Sequence, residues 1–164
     1  MLTIGIDPGL TGALAVLDHH GVPIAVRDLP VMPIPEAGPK ATVKTEIDVR
    51  ALYVLLRELV PADESAICVM EHSVSVGAEL GEMAKLSLAA TKASIMAVLR
   101  LQGHDVRRVA PASWKRHFRI GSEKNEALNL ARSMYLGLPE IKLQKHHNRA
   151  EALLIARYGQ ARFA

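Results

Sequence analysis

Two carboxylates stand where carboxylates are costly. Asp7 closes the apolar run Leu2-Thr3-Ile4-Gly5-Ile6 and is followed at once by Pro8-Gly9. Glu71 ends a second apolar run, Ala66-Ile67-Cys68-Val69-Met70. An acid directly after a buried strand is poorly solvated, so it needs a hydrogen-bonding partner, a counter-charge or a metal ion. If the two strands are neighbours, both acids converge at the sheet's carboxyl-terminal edge, where open α/β sheets hold their ligands. Hard oxygen donors of this type suit Mg²⁺ or Mn²⁺. The plainer reading is that Asp7 caps the Pro-Gly turn and Glu71 pairs with a lysine.

A helix near the end of the chain adds to the pattern. His147-Asn148-Arg149-Ala150-Glu151-Ala152-Leu153 places positions 148 and 151 about one helical turn apart on one face. The apolar stretch from Ala152 to Ala156 puts Glu151 at the margin of a packed surface. A third carboxylate brought to Asp7 and Glu71 completes the acidic set of a two-metal site. Two ions roughly 4 Å apart there would activate a water and stabilise the leaving oxygen of a phosphodiester. His146 and His147 precede this helix, either to orient or protonate a reacting oxygen or simply to start the helix in solvent.

The elements that must position these residues follow from patterning. Leu2 to Asp7, Gly12 to Leu17 and Val22 to Leu29 read as three hairpin-linked strands, with a turn at Asp18-His19-His20-Gly21. The Pro- and Gly-rich stretch from Pro30 to Thr45 reads as a surface loop. Asp48 to Arg57 has helical periodicity and Ala66 to Met70 that of a buried strand. His72 to Glu82 reads as a polar loop beside Glu71. The long Ala-rich helix from Met83 to Leu101, closed by Gly103, suits either a core contact or a dimer face. A fifth strand runs from Asp105 to Ala110, and Pro111 starts a short helix to Phe118. Ser122 to Asn125 reads as a helix cap leading to Tyr135, and the last helix spans His147 to Tyr158. The expected fold is therefore α/β: a five-stranded mixed sheet flanked by helices, in one domain spanning residues 1–164.

The chain has 164 residues, 49% of them hydrophobic and only 4% aromatic, so its core must be aliphatic. Its single cysteine, Cys68, excludes an intramolecular disulfide framework and reads as a buried structural thiol. Met1 leads directly into a strand pattern, no stretch approaches membrane-spanning length, and a cytoplasmic location is expected. The net charge of +3 is compatible with nucleic acid but does not establish it. Most of the Lys and Arg lie between residues 84 and 149. Arg107, Arg108, Lys115, Arg116, Arg119 and Lys124 flank Trp114, while Lys85 and Lys92 share a stripe of the long helix. These are candidates for phosphate contacts, against a plain solvated basic face. Trp114 reads as a hydrophobic anchor.

The ordered set of motifs resembles the RuvC-like Holliday-junction resolvases of the ribonuclease H-like superfamily, bacterial or bacteriophage in type. Ile4-Gly5-Ile6-Asp7-Pro8-Gly9 with Gly12 is similar to the family's opening strand, and Glu71 to its second acidic position. Val109-Ala110-Pro111-Ala112-Ser113-Trp114-Lys115 with Gly121-Ser122-Glu123-Lys124 is similar to its basic segment. Leu136-Gly137-Leu138-Pro139 and the helix from His147 to Ala156 resemble its closing region. The resemblance implies a homodimer that cleaves four-way DNA junctions with two Mg²⁺ or Mn²⁺ ions. It implies Asp7, Glu71, position 148 and Glu151 as catalytic metal ligands, and Lys85, Lys92, Lys115 and Lys124 as DNA contacts. The departure is Asn148, where the family carries Asp. The isosteric amide loses a charge, as in changes made to trap an uncut complex, and poor cleavage is expected. The alternatives are an inactive junction-binding protein and a ribonuclease H-type nuclease on other branched or hybrid nucleic acid. An actin-like or sugar-kinase-like phosphotransferase is disfavoured, because no second phosphate-binding Gly loop is present.

Overall fold

The structure, a computed structural model, describes residues 1–34, 44–64, 66–72 and 81–164, apart from the side chain of Lys124. Alternating apolar residues produce β1 (Leu2–Asp7), β2 (Ala13–Leu17) and β3 (Pro23–Asp28), joined as an antiparallel meander. The β1–β2 turn closes through the Gly12 N–H donating to the Gly9 carbonyl at 3.0 Å. Asp18 fixes the next turn by accepting from the backbone N–H groups of His20 and Val22.

The stretch expected to be loop after β3 contains a further pair of strands. β4 (Val31–Ile34) and β5 (Lys44–Ile47) form a separate two-stranded ladder in which Pro33 sits opposite Thr45. Proline is tolerated there because a two-stranded ribbon has free edges on both sides. Asp48 then caps α1 (Val49–Leu59) by accepting from the Ala51 N–H at 2.9 Å.

β6 (Ala66–Glu71), α2 (Glu82–Leu101) and β7 (Asp105–Val109) complete the main sheet, whose order is β3-β2-β1-β6-β7. β1 pairs antiparallel with β2 and parallel with β6, and β6 pairs parallel with β7. The five-stranded mixed sheet is thus as expected. α3 (Pro111–His117), α4 (Lys124–Met134) and α5 (His147–Phe163) follow, with short 3₁₀ turns at Pro139–Ile141 and Gln144–His146. The N-cap of α4 is Glu123, within the stretch expected to cap it, although its side chain makes no capping bond.

The two faces of the sheet hold two cores. Leu2, Ile4 and Ile6 of β1 and Cys68 and Met70 of β6 pack with Leu52 and Leu56 of α1 and Ile95 and Leu99 of α2. Burial pushes the Cys68 thiol up to about 12, consistent with an inert structural cysteine. Ala13, Ala15 and Val69 on the other face pack with Trp114, with Leu128 of α4 and with the apolar run from Ala152 to Ala156. α5 lies directly on β1 because residue 5 is glycine: a Cβ there would overlap the Ala152 carbonyl oxygen and the Ala156 nitrogen. The C-terminal half of α2 is core, whereas Met83 and Leu86 at its start are exposed. Among the described residues no helix is long and apolar enough to cross a membrane.

Candidate active site

The register of the sheet brings the first two acids together. Ile6 pairs with Met70 across the parallel β1–β6 ladder, so Asp7 and Glu71 occupy the next level of the same edge. Side chains alternate along a strand, which assigns Asp7 to the face of Thr3 and Gly5, and Glu71 to that of Ile67 and Val69. This is the face covered by α5, the helix that carries Asn148 and Glu151.

Glu71 is held from the side by a residue that the sequence presented only as a hydrophobic anchor. Trp114 is fully buried, and its indole Nε1–H donates to Glu71 Oε2 at 2.8 Å. Its ring also carries the Lys115 ammonium, 5.2 Å from the centroid. Lys115 Nζ in turn lies 3.6 Å from Glu151 Oε1, with both side chains largely shielded from solvent. Burial pushes the Glu71 carboxyl above its ordinary range, and the Trp114 bond pulls it back down. The Glu151 charge adds to the upward push, while Lys115 and Lys92 oppose it.

The raised carboxyl has a consequence for stability. Glu71 holds its proton more tightly in the folded chain than in the unfolded one, where its ordinary value is 4.5. The slope of stability with pH is therefore negative: the contribution is full below that value and is lost as pH rises through the folded one. Glu71→Gln keeps an acceptor for Trp114 and removes the buried charge. In chelator, melts of the two chains are expected to converge near about pH 4 and to separate near about pH 8, with Glu71→Gln the more stable. Equal separation at both pH values contradicts this account of Glu71.

The start of α5 is anchored by its own residues. The Asn148 amide Nδ2 donates to the Thr11 carbonyl at 2.5 Å and lies 3.2 Å from the Thr11 hydroxyl. The bond to the Thr11 carbonyl needs an amide, since a carboxylate has no proton to give it, whereas the Thr11 hydroxyl could donate to either group. Arg149 grips Asp28 at the end of β3 with a two-pronged contact, both arms at 2.6 Å, and reaches the Glu140 carbonyl. The Arg149 fork holds the Asp28 carboxyl below its ordinary range. His146 Nδ1 accepts from the Leu143 N–H, a local turn contact. His147 is the first residue of α5 and half-buried.

The lysines expected on DNA separate into different environments. Lys85 is half-buried near the start of α2, and Lys115 serves Glu151. Lys92 is turned inward, 8% exposed; burial holds its ammonium below the ordinary lysine range, and the Glu71 and Asp7 charges oppose that shift. The side chain of Lys124 lies outside the described residues. So does most of the loop from His72 to Glu82, including Gly77, although the His72 N–H donates to the Val109 carbonyl at 2.8 Å.

Asp7 and Glu71 are hard oxygen donors at one sheet edge and Glu151 sits on the helix over that face, and oxygen donors of this type suit Mg²⁺ or Mn²⁺. As the side chains stand, no group of three Asp, Glu, His or Cys among the described residues is arranged to hold an ion. In this form the Lys115 ammonium meets Glu151, and the Asn148 amide faces Thr11.

No protein-family model and no curated protein matches the chain. Solved structures do. The RuvC of Thermus thermophilus in complex with a Holliday junction substrate superposes with a TM-score of 0.62 at 18% identity, covering 95% of this chain and 90% of that one. A structure of Thermus thermophilus RuvC superposes at 0.55 with 19% identity, covering 95% and 91% of the two chains. The chain therefore has the ribonuclease H-like, RuvC-like fold.

Proposed function

We propose that this chain is a structure-selective DNA endonuclease that resolves four-way junctions by metal-dependent phosphodiester hydrolysis, acting as a homodimer of one nuclease domain. The observation that carries the reading is the placement of Asp7 and Glu71 at adjacent ends of parallel strands, under the helix that bears Glu151. The structural likeness to a RuvC bound to a Holliday junction supports the choice of substrate.

In this reading Asp7, Glu71 and Glu151 would hold Mg²⁺ or Mn²⁺, with the Asn148 amide oxygen available as a neutral donor. Bound divalent metal supplies Lewis acidity, lowering the cost of forming the nucleophile and of releasing the alkoxide. Trp114 keeps Glu71 aimed along the strand edge. Lys115, beside Glu151 and over Trp114, would serve as a cation for the phosphate that enters. Lys85 and Lys124 extend the basic surface that neutralises flanking phosphates.

Asn148 limits the rate in this scheme because it adds no charge. Asn148→Asp is expected to raise Mn²⁺-dependent cleavage by about tenfold or more. It should also lower stability by about 1 kcal/mol, through the bond lost to the Thr11 carbonyl. Single-turnover cleavage and urea melts measure both effects. The same Asn148–Thr11 contact favours a second reading, a junction-binding protein without catalysis, in which the amide has a purely structural duty. Gel-shift competition between a four-way junction and a linear duplex of the same sequence, with Ca²⁺ in place of Mg²⁺, tests the substrate class. Selective junction binding supports the proposal, and equal binding to both removes it.

A further inference from the structure

The start of α5 is held differently from its middle. His146 occupies the cap position and its side chain makes no capping bond, so the cap residue leaves the opening turn untied. From His147 to Glu151 only Ala150 is buried, whereas every residue from Ala152 to Ala156 is. Packing therefore fixes the middle of the helix and leaves its first turn to polar contacts. Residues 149 and 151 lie about 200° apart around a helix, so their side chains leave on nearly opposite sides. Arg149 reaches β3, an edge strand of the main sheet, with Nε and Nη2 each 2.6 Å from an Asp28 carboxylate oxygen. Glu151 reaches the other way, its Oε1 3.6 Å from Lys115 of α3.

The Arg149 contact suits orientation better than stability or ligand binding. Asp28 is 61% exposed, and ion pairs open to solvent contribute little to folding. A forked guanidinium–carboxylate pair nevertheless fixes direction, because two parallel bonds resist rotation. The guanidinium is also fully engaged: Nη1 donates to the Glu140 carbonyl at 3.3 Å, so each of its nitrogens already donates within the chain. What the fork controls is the roll of the helix end. A roll of about 20° carries a carboxylate about 6 Å from the axis through about 2 Å. Displacements near 1 Å at a reacting centre can cost on the order of a hundredfold in rate.

We infer that the Asp28–Arg149 pair is the positioning device of the site, setting the roll of the first turn of α5 and with it the places of Glu151 and position 148. The inference rests on the nuclease reading for its effect on rate, while its effect on Glu151 stands apart from that reading. Asp28 and Arg149 are positioning residues that act through α5.

The test turns on Asp28→Ala, which breaks the fork and leaves Arg149 in place. The chain has one tryptophan, so the Trp114 indole N–H gives a single resonance, from a group bonded to Glu71 and next to Lys115. Asp28→Ala is expected to shift that resonance, as the control Glu151→Gln does. Single-turnover Mn²⁺-dependent junction cleavage at saturating protein, in the chain and in its Asn148→Asp form, should fall by about tenfold or more. Arg149→Met should lose as much, and the double variant no more than either single one. Junction binding in Ca²⁺ should stay within about threefold and the melting temperature within about 4 °C. Asp28→Glu, which keeps a carboxylate for the fork, should retain cleavage within about threefold. If Arg149 instead served as a phosphate contact, Asp28→Ala would free its guanidinium and leave the rate unchanged or higher. An Asp28→Ala resonance that stays in place, or a rate within about threefold of the parent chain, overturns the inference. If Asp28→Ala does not fold, Arg149→Lys, which keeps the charge and loses the fork, takes its place with the same expectations. Cleavage by none of the chains removes the nuclease reading, and the resonance alone then decides whether the pair positions Glu151.

Discussion

Asp7→Asn is expected to lower Mn²⁺-dependent junction cleavage by about a thousandfold or more, while junction binding in Ca²⁺ changes little. Asp7 ends the central strand, between antiparallel β2 and parallel β6, so its position is set by two ladders. The amide keeps the shape and removes one anionic ligand. Losing a charged ligand forfeits several kcal/mol of transition-state stabilisation, and each 1.4 kcal/mol is about a factor of ten in rate. The comparison is best made by single-turnover cleavage in the chain as it stands and again in its Asn148→Asp form. A loss smaller than about tenfold in both would separate Asp7 from the chemistry.

Trp114→Ala is expected to cost about 3–5 kcal/mol of stability, because it empties a fully buried indole site. For a chain of this size that lowers the melting temperature by on the order of 10 °C. The change also leaves Glu71 without its indole donor and Lys115 without its aromatic platform. Trp114→Phe separates these effects. It retains most of the packing, so its stability loss should be near about 1 kcal/mol, yet it still removes the bond to Glu71. Mn²⁺ binding at neutral pH should then weaken, because Glu71 loses the interaction that opposes its burial. Thermal melts and Mn²⁺ titrations on both variants distinguish packing from orientation. Unchanged Mn²⁺ affinity in Trp114→Phe would reduce Trp114 to a core residue.

The parts of this site that were legible in the sequence are those whose chemistry conflicts with their surroundings. Asp7 and Glu71 announced themselves as acids terminating apolar runs, and the sheet places them in register. Glu151 was visible from its spacing to position 148 and from the apolar run behind it. Trp114 was recognised as buried, but its bond to Glu71 joins residues 43 apart in sequence and no local pattern encodes it.

Lys92 shows how a periodic signal can be assigned to the wrong face. Its spacing of seven from Lys85 suggested one basic stripe, yet Lys92 also shares a stripe with Ile95, Met96 and Leu99, which are buried. The apolar partners were the better guide to orientation. The pair β4 and β5 was hidden by Pro30, Pro33 and Pro35, because proline content argues for loop while ribbon pairing depends on a partner strand ten or more residues away. The Asn148 contact with Thr11 spans the length of the chain and became visible only with α5 laid across β1.

The central claim is that these carboxylates cut branched DNA, and end-labelled four-way junction with Mn²⁺ tests it most directly. The chain, its Asn148→Asp form and its Glu71→Gln form should be compared at equal protein and metal concentration. Paired nicks placed symmetrically across the junction are expected from the chain, faster from Asn148→Asp and absent from Glu71→Gln. Intact junction in all three lanes, despite tight binding, would contradict the account and leave a junction-binding protein in its place.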